Sequence, residues 1–311
     1  MSKPPQAAAG FDGYPAGPAR DGQAERLPVT PLPLALLRDF VRRPSGLVGA
    51  AVILALVLFC FAGPLVYHTD QLHTNLLAVN LSPDGAHPLG TDANGHDMLG
   101  RLMTGGRACL EIALAVAVLA TFAGAFWGAL AGLAGGAVDA LMMRVVDTLL
   151  SLPSIFILIY IATIATPTVP LLIAVITLLS WLGPARLIRG EALSLKTREF
   201  VQAATAMGAS RRHTVVRHLL PNTLGTLAVN VSFQAADAIL VLATLSFLGF
   251  GLPAPATTWG DTLSAGTGYL FDGYWWEVYP AGFLIVITVI ALNLTGDALR
   301  DTVAGRTTSR S

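Results

Sequence analysis

The sequence predicts an all-α polytopic membrane protein with six transmembrane helices. Of its 311 residues, 54% are hydrophobic and only 12% are charged, whereas soluble domains carry about 25% charged residues. A transmembrane helix needs about 20 predominantly apolar residues, and the chain has six apolar runs of roughly this length. These runs are residues 46–66, 109–133, 142–165, 170–187, 224–250 and 280–299.

The distribution of Lys and Arg predicts that both termini lie in the cytoplasm. Basic residues are frequent before the first apolar run, between the fourth and fifth runs, and after the sixth. On the opposite side, the first loop holds only Arg101 and Arg107, and residues 251–280 hold neither Lys nor Arg. Because basic residues favour the cytoplasmic side of a membrane, six spans place both termini and the loop between spans four and five on that side.

The apolar runs divide the chain into segments. Residues 1–31 are rich in Pro, Gly and Ala without periodicity, which predicts a disordered cytoplasmic tail. Residues 32–45 alternate Leu and Phe with Arg, which favours an interfacial helix or, as the alternative, an extension of the first span. The remaining segments are a first span at 46–66, an extracytoplasmic loop at 67–107, a core of five spans at 108–300 and a cytoplasmic tail at 301–311.

The extracytoplasmic loop contains polar residues that suit capping better than metal binding. Thr91 and Asp92 are placed to cap a short helix. The four histidines of the loop match no known metal-ligand spacing, and no cysteine accompanies them. We therefore predict no metal site.

Small residues in the second apolar run predict close helix packing. Gly124, Gly128 and Gly132 are four residues apart and lie on one helix face, where they let another backbone approach. Cys60 and Cys109 lie inside or at the edge of spans. We interpret them as ordinary small apolar residues, with a disulfide between them as the alternative.

Acidic side chains are costly inside a membrane and are usually functional there. Asp147 follows Arg144 by one helical turn, so we expect an ion pair within one helix. Asp237 lies well inside the fifth apolar run without an obvious partner. We therefore take Asp237 as a candidate translocation-path residue, together with Gln234 and Ser246 of the same run.

The chain lacks recognisable motifs for catalysis. It has two lysines, Lys3 and Lys196, and neither belongs to a glycine-rich phosphate loop. Neither the zinc-protease helix motif His-Glu-x-x-His nor the nucleophile turn Gly-x-Ser-x-Gly occurs. We predict that the chain is not an enzyme and does not hydrolyse ATP.

Residues 197–221 combine a small-residue segment with a basic one. The spacing predicts two short helices joined at Gly208, since glycine tolerates the backbone angles of a turn. Ala204 and Gly208 leave a smooth face suited to contact with another protein, and Arg211 and Arg212 suit an acidic partner or lipid headgroups. Pro221 cannot continue the preceding helix but suits the first turn of the next. The alternative is a simple basic loop on the cytoplasmic side.

This segment resembles a known family. Residues 202–222, QAATAMGASRRHTVVRHLLPN, are similar to the "EAA" loop of bacterial ABC-importer permeases, whose pattern is Glu-Ala-Ala, three residues, Gly, and later Leu-Pro. Over about residues 35–303 the chain resembles the second permease of dipeptide, oligopeptide and nickel importers. This wider resemblance rests on HPLGTDANGHDMLGRL, RVVDTLLSLPS, EFVQAATAMGAS, RHLLPN, LSFLGFGLPAPATTWGDTL and NLTGDALRD.

The resemblance implies a type I ABC importer permease fold that couples ATPase motion to transport across the bacterial inner membrane. It implies a heteromeric complex of two related permeases, two ATPase subunits and an extracytoplasmic substrate-binding protein, with no nucleic acid. ATP and Mg are then bound by the ATPase subunits, and this chain holds no cofactor. The residues that the resemblance assigns to ATPase coupling are Gln202, Ala203, Ala204, Gly208, Ala209, Arg211, Arg212, Leu220 and Pro221.

Three positions depart from the family pattern. Gln202 replaces the usual glutamate, so a charged contact with the ATPase becomes at most a neutral hydrogen bond. Leu242 replaces a second glutamate, which leaves Asp237, somewhat more than one turn earlier, as a candidate substitute. His96 replaces the Arg of a Gly-Arg-Asp motif.

The expected function is import of di- or oligopeptides. Nickel or another small solute is the alternative within the family, because binding proteins usually select the substrate. Outside the family, the rivals are a secondary transporter, which would need several intramembrane coupling charges and broken helices in paired halves, and a membrane-embedded enzyme.

Overall fold

The computed structural model describes residues 40–198, residue 202 and residues 220–308. Within these ranges the chain is helical and forms no strand, apart from one isolated bridge between Thr91 and Asp97. The predicted tail at 1–31 and most of residues 197–221 lie outside the described residues. The helices are α1 Pro44–Val66, α2 Met98–Ala134, α3 Gly136–Leu150, α4 Ser154–Ile164, α5 Val169–Ser180, α6 Leu182–Lys196, α7 Leu220–Leu245, α8 Trp259–Thr267 and α9 Tyr279–Thr308.

Four described helices are long and apolar enough to cross a membrane, and two bent pairs raise the number to six if each pair is one span. The long helices are α1, α2, α7 with its π-helical extension, and α9; the bent pairs are α3 with α4 and α5 with α6. The all-α polytopic fold predicted from the sequence is confirmed.

The third and fourth predicted spans are not straight helices. The predicted span at 142–165 bends by 76° between α3 and α4. Pro153 stands directly before α4, where its ring and missing N–H prevent a continuous helix. The predicted span at 170–187 bends by 43° near Trp181, and α6 continues nine residues beyond the predicted end, to Lys196. Pro184 in the first turn of α6 removes a further backbone donor.

Helix α2 begins earlier than the sequence predicts. It starts at Met98, within the segment 67–107 that the sequence predicts to be a loop. The prediction that Thr91 and Asp92 cap a short helix is wrong. Asp97 is the N-cap, and its Oδ1 accepts a hydrogen bond of 2.9 Å from the Gly100 backbone N–H. An acceptor next to the first helical residue satisfies a donor that the helix itself leaves unpaired.

The core surrounds α2, which packs against α5, α6 and α7. Helix α9 packs against α7 on one side and α1 on the other. The centre is filled by large apolar side chains that are almost completely buried, among them Leu102, Ile112, Leu172, Ile239 and Leu242. Cys60 and Cys109 belong to the same core as free thiols, as the simpler interpretation predicted.

The predicted glycine contact is confirmed between α2 and α6. A Cβ atom added to Gly124 would lie 2.5 Å from the carbonyl oxygen of Trp181 and 2.6 Å from Cβ of Pro184. At Gly128 an added Cβ would collide with the carbonyl oxygen of Ala185. The two backbones are therefore closer than any larger residue in α2 would allow.

Candidate functional site: the open face of α7

The second half of α7 has one covered face and one uncovered face. Ala235, Ala238, Ile239 and Leu242 are buried against the core. On the other side, Asp237, Leu240 and Thr244, together with Phe247 of the π-helical extension, recur at helical spacing and are exposed. We call these four residues the open face of α7.

Asp237 is the charged member of the open face. It lies close to the middle of the apolar segment Thr223–Phe250, and no described side chain forms an ion pair with it. The hydroxyl of Thr244, by contrast, donates a hydrogen bond of 2.8 Å to the carbonyl oxygen of Leu240 and needs no external partner. An uncovered carboxylate at this depth is costly against lipid, so the open face is suited to water or to a polar partner.

Gln234 and Ser246 do not belong to the open face. The Nε2 of Gln234 donates a hydrogen bond of 2.6 Å to the carbonyl oxygen of Ser180, which ends α5 at the bend before α6. Ser246 is 1% exposed, and a Cβ added to Gly260 would lie 2.7 Å from its Cβ. The structure thus separates the three predicted path residues. Gln234 bonds to the residue at the bend before α6 and is partly buried, Ser246 is buried, and Asp237 is the one of the three that is exposed.

Leu242 and Asp237 lie on different faces of α7. The side chain of Leu242 is fully buried in the core, whereas Asp237 is exposed. A five-residue separation on a helix turns the side chain well away from its starting direction. Asp237 therefore does not replace, in position, a glutamate that would stand at 242.

A second set of contacts fixes α6, the helix that leads towards residues 199–219. Arg189 of α6 donates two hydrogen bonds to Asp139 of α3, from Nε to Oδ1 at 2.5 Å and from Nη2 to Oδ2 at 2.7 Å. Such a two-point fork fixes orientation as well as distance. Lys196 at the end of α6 donates a hydrogen bond of 2.8 Å to the Leu133 carbonyl of α2. Helix α6 is therefore held by hydrogen bonds to both α3 and α2.

Asp147 corrects a prediction from the sequence. Its partner is Arg186 of α6, with Nη2 to Oδ1 at 2.5 Å, and not Arg144 of its own helix. Both partners are about half exposed, with side-chain exposures of 52% and 53%. The eight-residue spacing of Asp139 and Asp147 places them on one face of α3, opposite Arg186 and Arg189, and this spacing was the available signal in the sequence.

The described coupling residues are few. Gln202 is exposed, and its Nε2 donates a hydrogen bond of 3.3 Å to the Thr197 carbonyl oxygen. Leu220 and Pro221 stand at the start of the described part of α7, where proline fits the first turn. Six predicted coupling residues lie outside the described residues: Ala203, Ala204, Gly208, Ala209, Arg211 and Arg212.

The loop before α2 is held by buried polar contacts. Asp92 accepts hydrogen bonds of 2.8 Å from Arg101 Nη1 and from the His96 backbone N–H. Asp97 receives the Tyr67 hydroxyl at 2.8 Å, and desolvation together with this carboxylate raises the pKa of Tyr67 to about 12. No cluster of three or more metal-ligating side chains occurs among the described residues. The loop is a hydrogen-bonded cap on the end of α2.

Helix α8 continues this cap between α7 and α9. The Thr258 hydroxyl accepts from the Asp261 backbone N–H, and the Asp261 side chain accepts from the Thr258 N–H at 2.9 Å, which forms a reciprocal cap. Burial raises the pKa of Asp261 to about 6. Trp259 of the same helix is fully buried, and its indole N–H donates a hydrogen bond of 2.9 Å to the Leu102 carbonyl oxygen.

Comparison with known proteins places these features in a family. Residues 124–309 match the family described as the binding-protein-dependent transport system inner membrane component, and residues 34–83 match the N-terminal transmembrane domain of oligopeptide transport permease C. The oligopeptide transport system permease protein OppC of Haemophilus influenzae is 35% identical over 266 residues, 85% of each chain. OppC of Bacillus subtilis is 35% identical over 91% of this chain and 93% of its own length. The dipeptide transport system permease protein DppC of Bacillus subtilis is 32% identical over 85% of this chain and 82% of its own length.

The matches decide between the classes that the sequence left open. The family and the curated relatives are transport permeases, which sets aside the secondary transporter and the membrane-embedded enzyme. The family match covers more than half of the chain and includes α6, α7 and the segment between them. The chain belongs to the family of inner-membrane components of binding-protein-dependent transport systems.

Proposed function

We propose that this chain is one of two permease subunits of an ATP-driven importer and forms half of the path for di- or oligopeptides. The observation that carries the proposal is Asp237, an exposed carboxylate near the middle of a membrane-spanning helix. A charge in this position needs water or a polar partner. A second permease that covers the open face of α7 would provide both, with the path between the two subunits.

Peptides suit such a path. A peptide carries an ammonium group at its N-terminus, and a carboxylate exposed to water attracts cationic groups. The relatives named as oligopeptide and dipeptide permeases support this substrate class over nickel. Asp237 is then a polar site along the path, while an extracytoplasmic binding protein selects the substrate.

The proposed coupling runs through residues 197–221 to α6 and α7. Two ATPase subunits bind ATP and Mg, and one of them receives the small-residue face around Ala204 and Gly208. Because α6 is braced by Arg189 on α3 and by its glycine contact with α2, a push on its end moves several helices together. The distribution of Lys and Arg supports a cytoplasmic position for both termini and for this segment.

The substrate proposal is tested with the purified complex in lipid nanodiscs. Binding protein loaded with di- or oligopeptide should stimulate ATP hydrolysis, whereas binding protein offered nickel should not. This chain purified by itself should hydrolyse no ATP. Stimulation by nickel alone would overturn the substrate class, and turnover by the single chain would contradict its role as a permease.

The coupling proposal is tested by retention of the ATPase subunits in a pull-down. Gly208→Val should reduce both retention and peptide uptake, because a β-branched residue strains the predicted turn and obstructs the small-residue face. Gln202→Glu restores the usual family residue and should maintain or strengthen retention if the ATPase keeps a basic partner. If wild type and both variants retain the ATPase and transport equally, residues 197–221 are only a basic loop.

A further inference from the structure

A cleft of about 450 Å³ lies between α6, α7 and α9. It is formed by the helix that precedes residues 199–219 and the helix that follows them, with α9 as the third wall. Val229 is buried at 7% exposure, while Leu187 and Arg300 are exposed. The lining is completed by Glu191, Thr226, Asn230, Phe233, Val303 and Ala304.

One acidic group in the cleft is only half satisfied. Glu191 Oε1 accepts a hydrogen bond of 2.5 Å from the Thr226 hydroxyl. The second oxygen, Oε2, is buried and has no hydrogen-bond partner among the residues that the structure describes. A buried carboxylate oxygen without a partner is costly, and native structures rarely leave one unpaired. A bound molecule with a hydrogen-bond donor would therefore stabilise Glu191 Oε2.

The other residues that line the cleft indicate the chemistry of the molecule that carries this donor. Arg300 brings a guanidinium to the same cleft, and such a group binds phosphate through paired hydrogen bonds. Phe233, Val229 and Leu187 supply apolar surface beside the two charges. A ligand that matches the cleft has an ammonium, a phosphate and a hydrocarbon chain.

We propose that this cleft binds an aminophospholipid from the membrane leaflet on the side of residues 199–219. Its primary ammonium donates to Glu191 Oε2, its phosphate accepts from Arg300, and an acyl chain lies along Phe233 and Leu187. Because the occupant contacts both α6 and α7, it sits where the two helices that flank the coupling segment approach each other. The inference depends on the cleft alone and not on the transported substrate.

The test uses the full chain purified with its partner subunits in nanodiscs of phosphatidylethanolamine, phosphatidylcholine and phosphatidylglycerol with identical acyl chains. After washing in detergent, mass spectrometry measures the lipids that remain bound. Phosphatidylethanolamine should be retained over phosphatidylcholine by about tenfold, equivalent to about 1.4 kcal/mol. The quaternary ammonium of phosphatidylcholine has no N–H, so it cannot donate to Glu191.

Two variants and one control sharpen the test. Glu191→Gln should abolish the preference for phosphatidylethanolamine, and Arg300→Gln should lower its retention. Glu111→Gln is the control. Glu111 pairs with the exposed Arg107 at 2.8 Å and does not line the cleft, so the preference should persist. Equal retention of the ethanolamine and choline lipids by wild type would overturn the proposal, as would equal retention of phosphatidylglycerol or an unchanged preference in Glu191→Gln. The wild-type comparison decides even if a variant fails to fold.

Discussion

The contact between α2 and α6 and the open face of α7 are both helix surfaces at membrane depth, yet they are built in opposite ways. The first is lined by Gly124, Gly128 and Gly132, has no charge among these residues and is closed by another helix of the same chain. The second presents Leu240, Phe247 and the carboxylate of Asp237, and nothing in the described structure covers it.

The difference separates structure from function. Between helices in a membrane, packing rather than hydrophobic burial drives association, so small residues mark a contact that is already made. Large apolar residues around a charge do not allow two backbones to approach closely, but they suit lipid, a partner subunit or a water-filled path. The glycine contact therefore holds helices of the same chain together, while the open face of α7 is the surface that we propose for transport.

The largest effect is expected where the glycine contact is broken. Gly128→Val places a branched side chain against the Ala185 carbonyl oxygen, where backbone must move. We expect a loss of at least about 3 kcal/mol of stability, at the upper end of overpacking penalties. Thermal unfolding of the purified protein in detergent measures the loss.

Gly190→Ala is the control for that experiment. Gly190 lies within α6, the helix that packs against Gly128 of α2, but an added Cβ meets no atom within 4 Å. We expect unchanged or slightly higher stability, because Ala is about 0.5–1 kcal/mol more favourable than Gly inside a helix. Equal unfolding temperatures for Gly128→Val and wild type would show that the contact is not closely packed.

A smaller effect, on transport rather than stability, is expected at the open face. Asp237→Asn removes the charge and keeps the size of the side chain. Peptide uptake by the reconstituted complex should fall by about tenfold, equivalent to about 1.4 kcal/mol, while the unfolding temperature stays the same. Leu240→Ala on the same face is the control and should transport nearly normally. Full uptake by Asp237→Asn would remove the carboxylate from the path.

The smallest effect is expected at the ion pairs that join α6 to α3. Asp139→Asn disrupts the two-point contact with Arg189, and Asp139 is 8% exposed. We expect a loss of about 1 kcal/mol, because a partly buried fork is stronger than an ordinary surface pair. Asp147→Asn disrupts the half-exposed pair with Arg186 and should cost less than about 0.5 kcal/mol. Unfolding temperatures compare the two, and a larger loss for Asp147→Asn would reverse our ranking of the ion pairs.

The sequence predicted the general architecture well, because long apolar runs have few other solutions. It located the segments that became α1, α2, α7 and α9, and it identified Gly124 and Gly128 as packing positions. It did not predict the 76° and 43° bends, because Pro153 and Pro184 lie within runs whose hydropathy continues across the break. Hydropathy reports the composition of a span and not the direction of its axis.

The candidate site was predicted only in part. Asp237 was found because an isolated charge in an apolar run is visible in one dimension. Gln234 and Ser246 were grouped with it because they are close in sequence. In the structure they lie on other faces of the helix, where Gln234 bonds to the Ser180 carbonyl oxygen and Ser246 is buried. The sequence did not predict Glu191 or its cleft, because the cleft forms only when the packing of α6, α7 and α9 brings Thr226 and Arg300 to the same place as Glu191.

The sequence by itself determined that this chain is a helical, multi-pass membrane protein, and its motifs indicated the transport family. Both properties depend on residues that are adjacent or at fixed spacing along the chain, where hydrophobicity and helical period act locally. Only the tertiary structure decided which charges are paired, which helices are bent and which face of α7 is left uncovered. Arg189 pairs with Asp139, and Asp147 pairs with Arg186 rather than with Arg144. These pairs form because the packing of α6 on α2 and α3 brings the groups within hydrogen-bond distance.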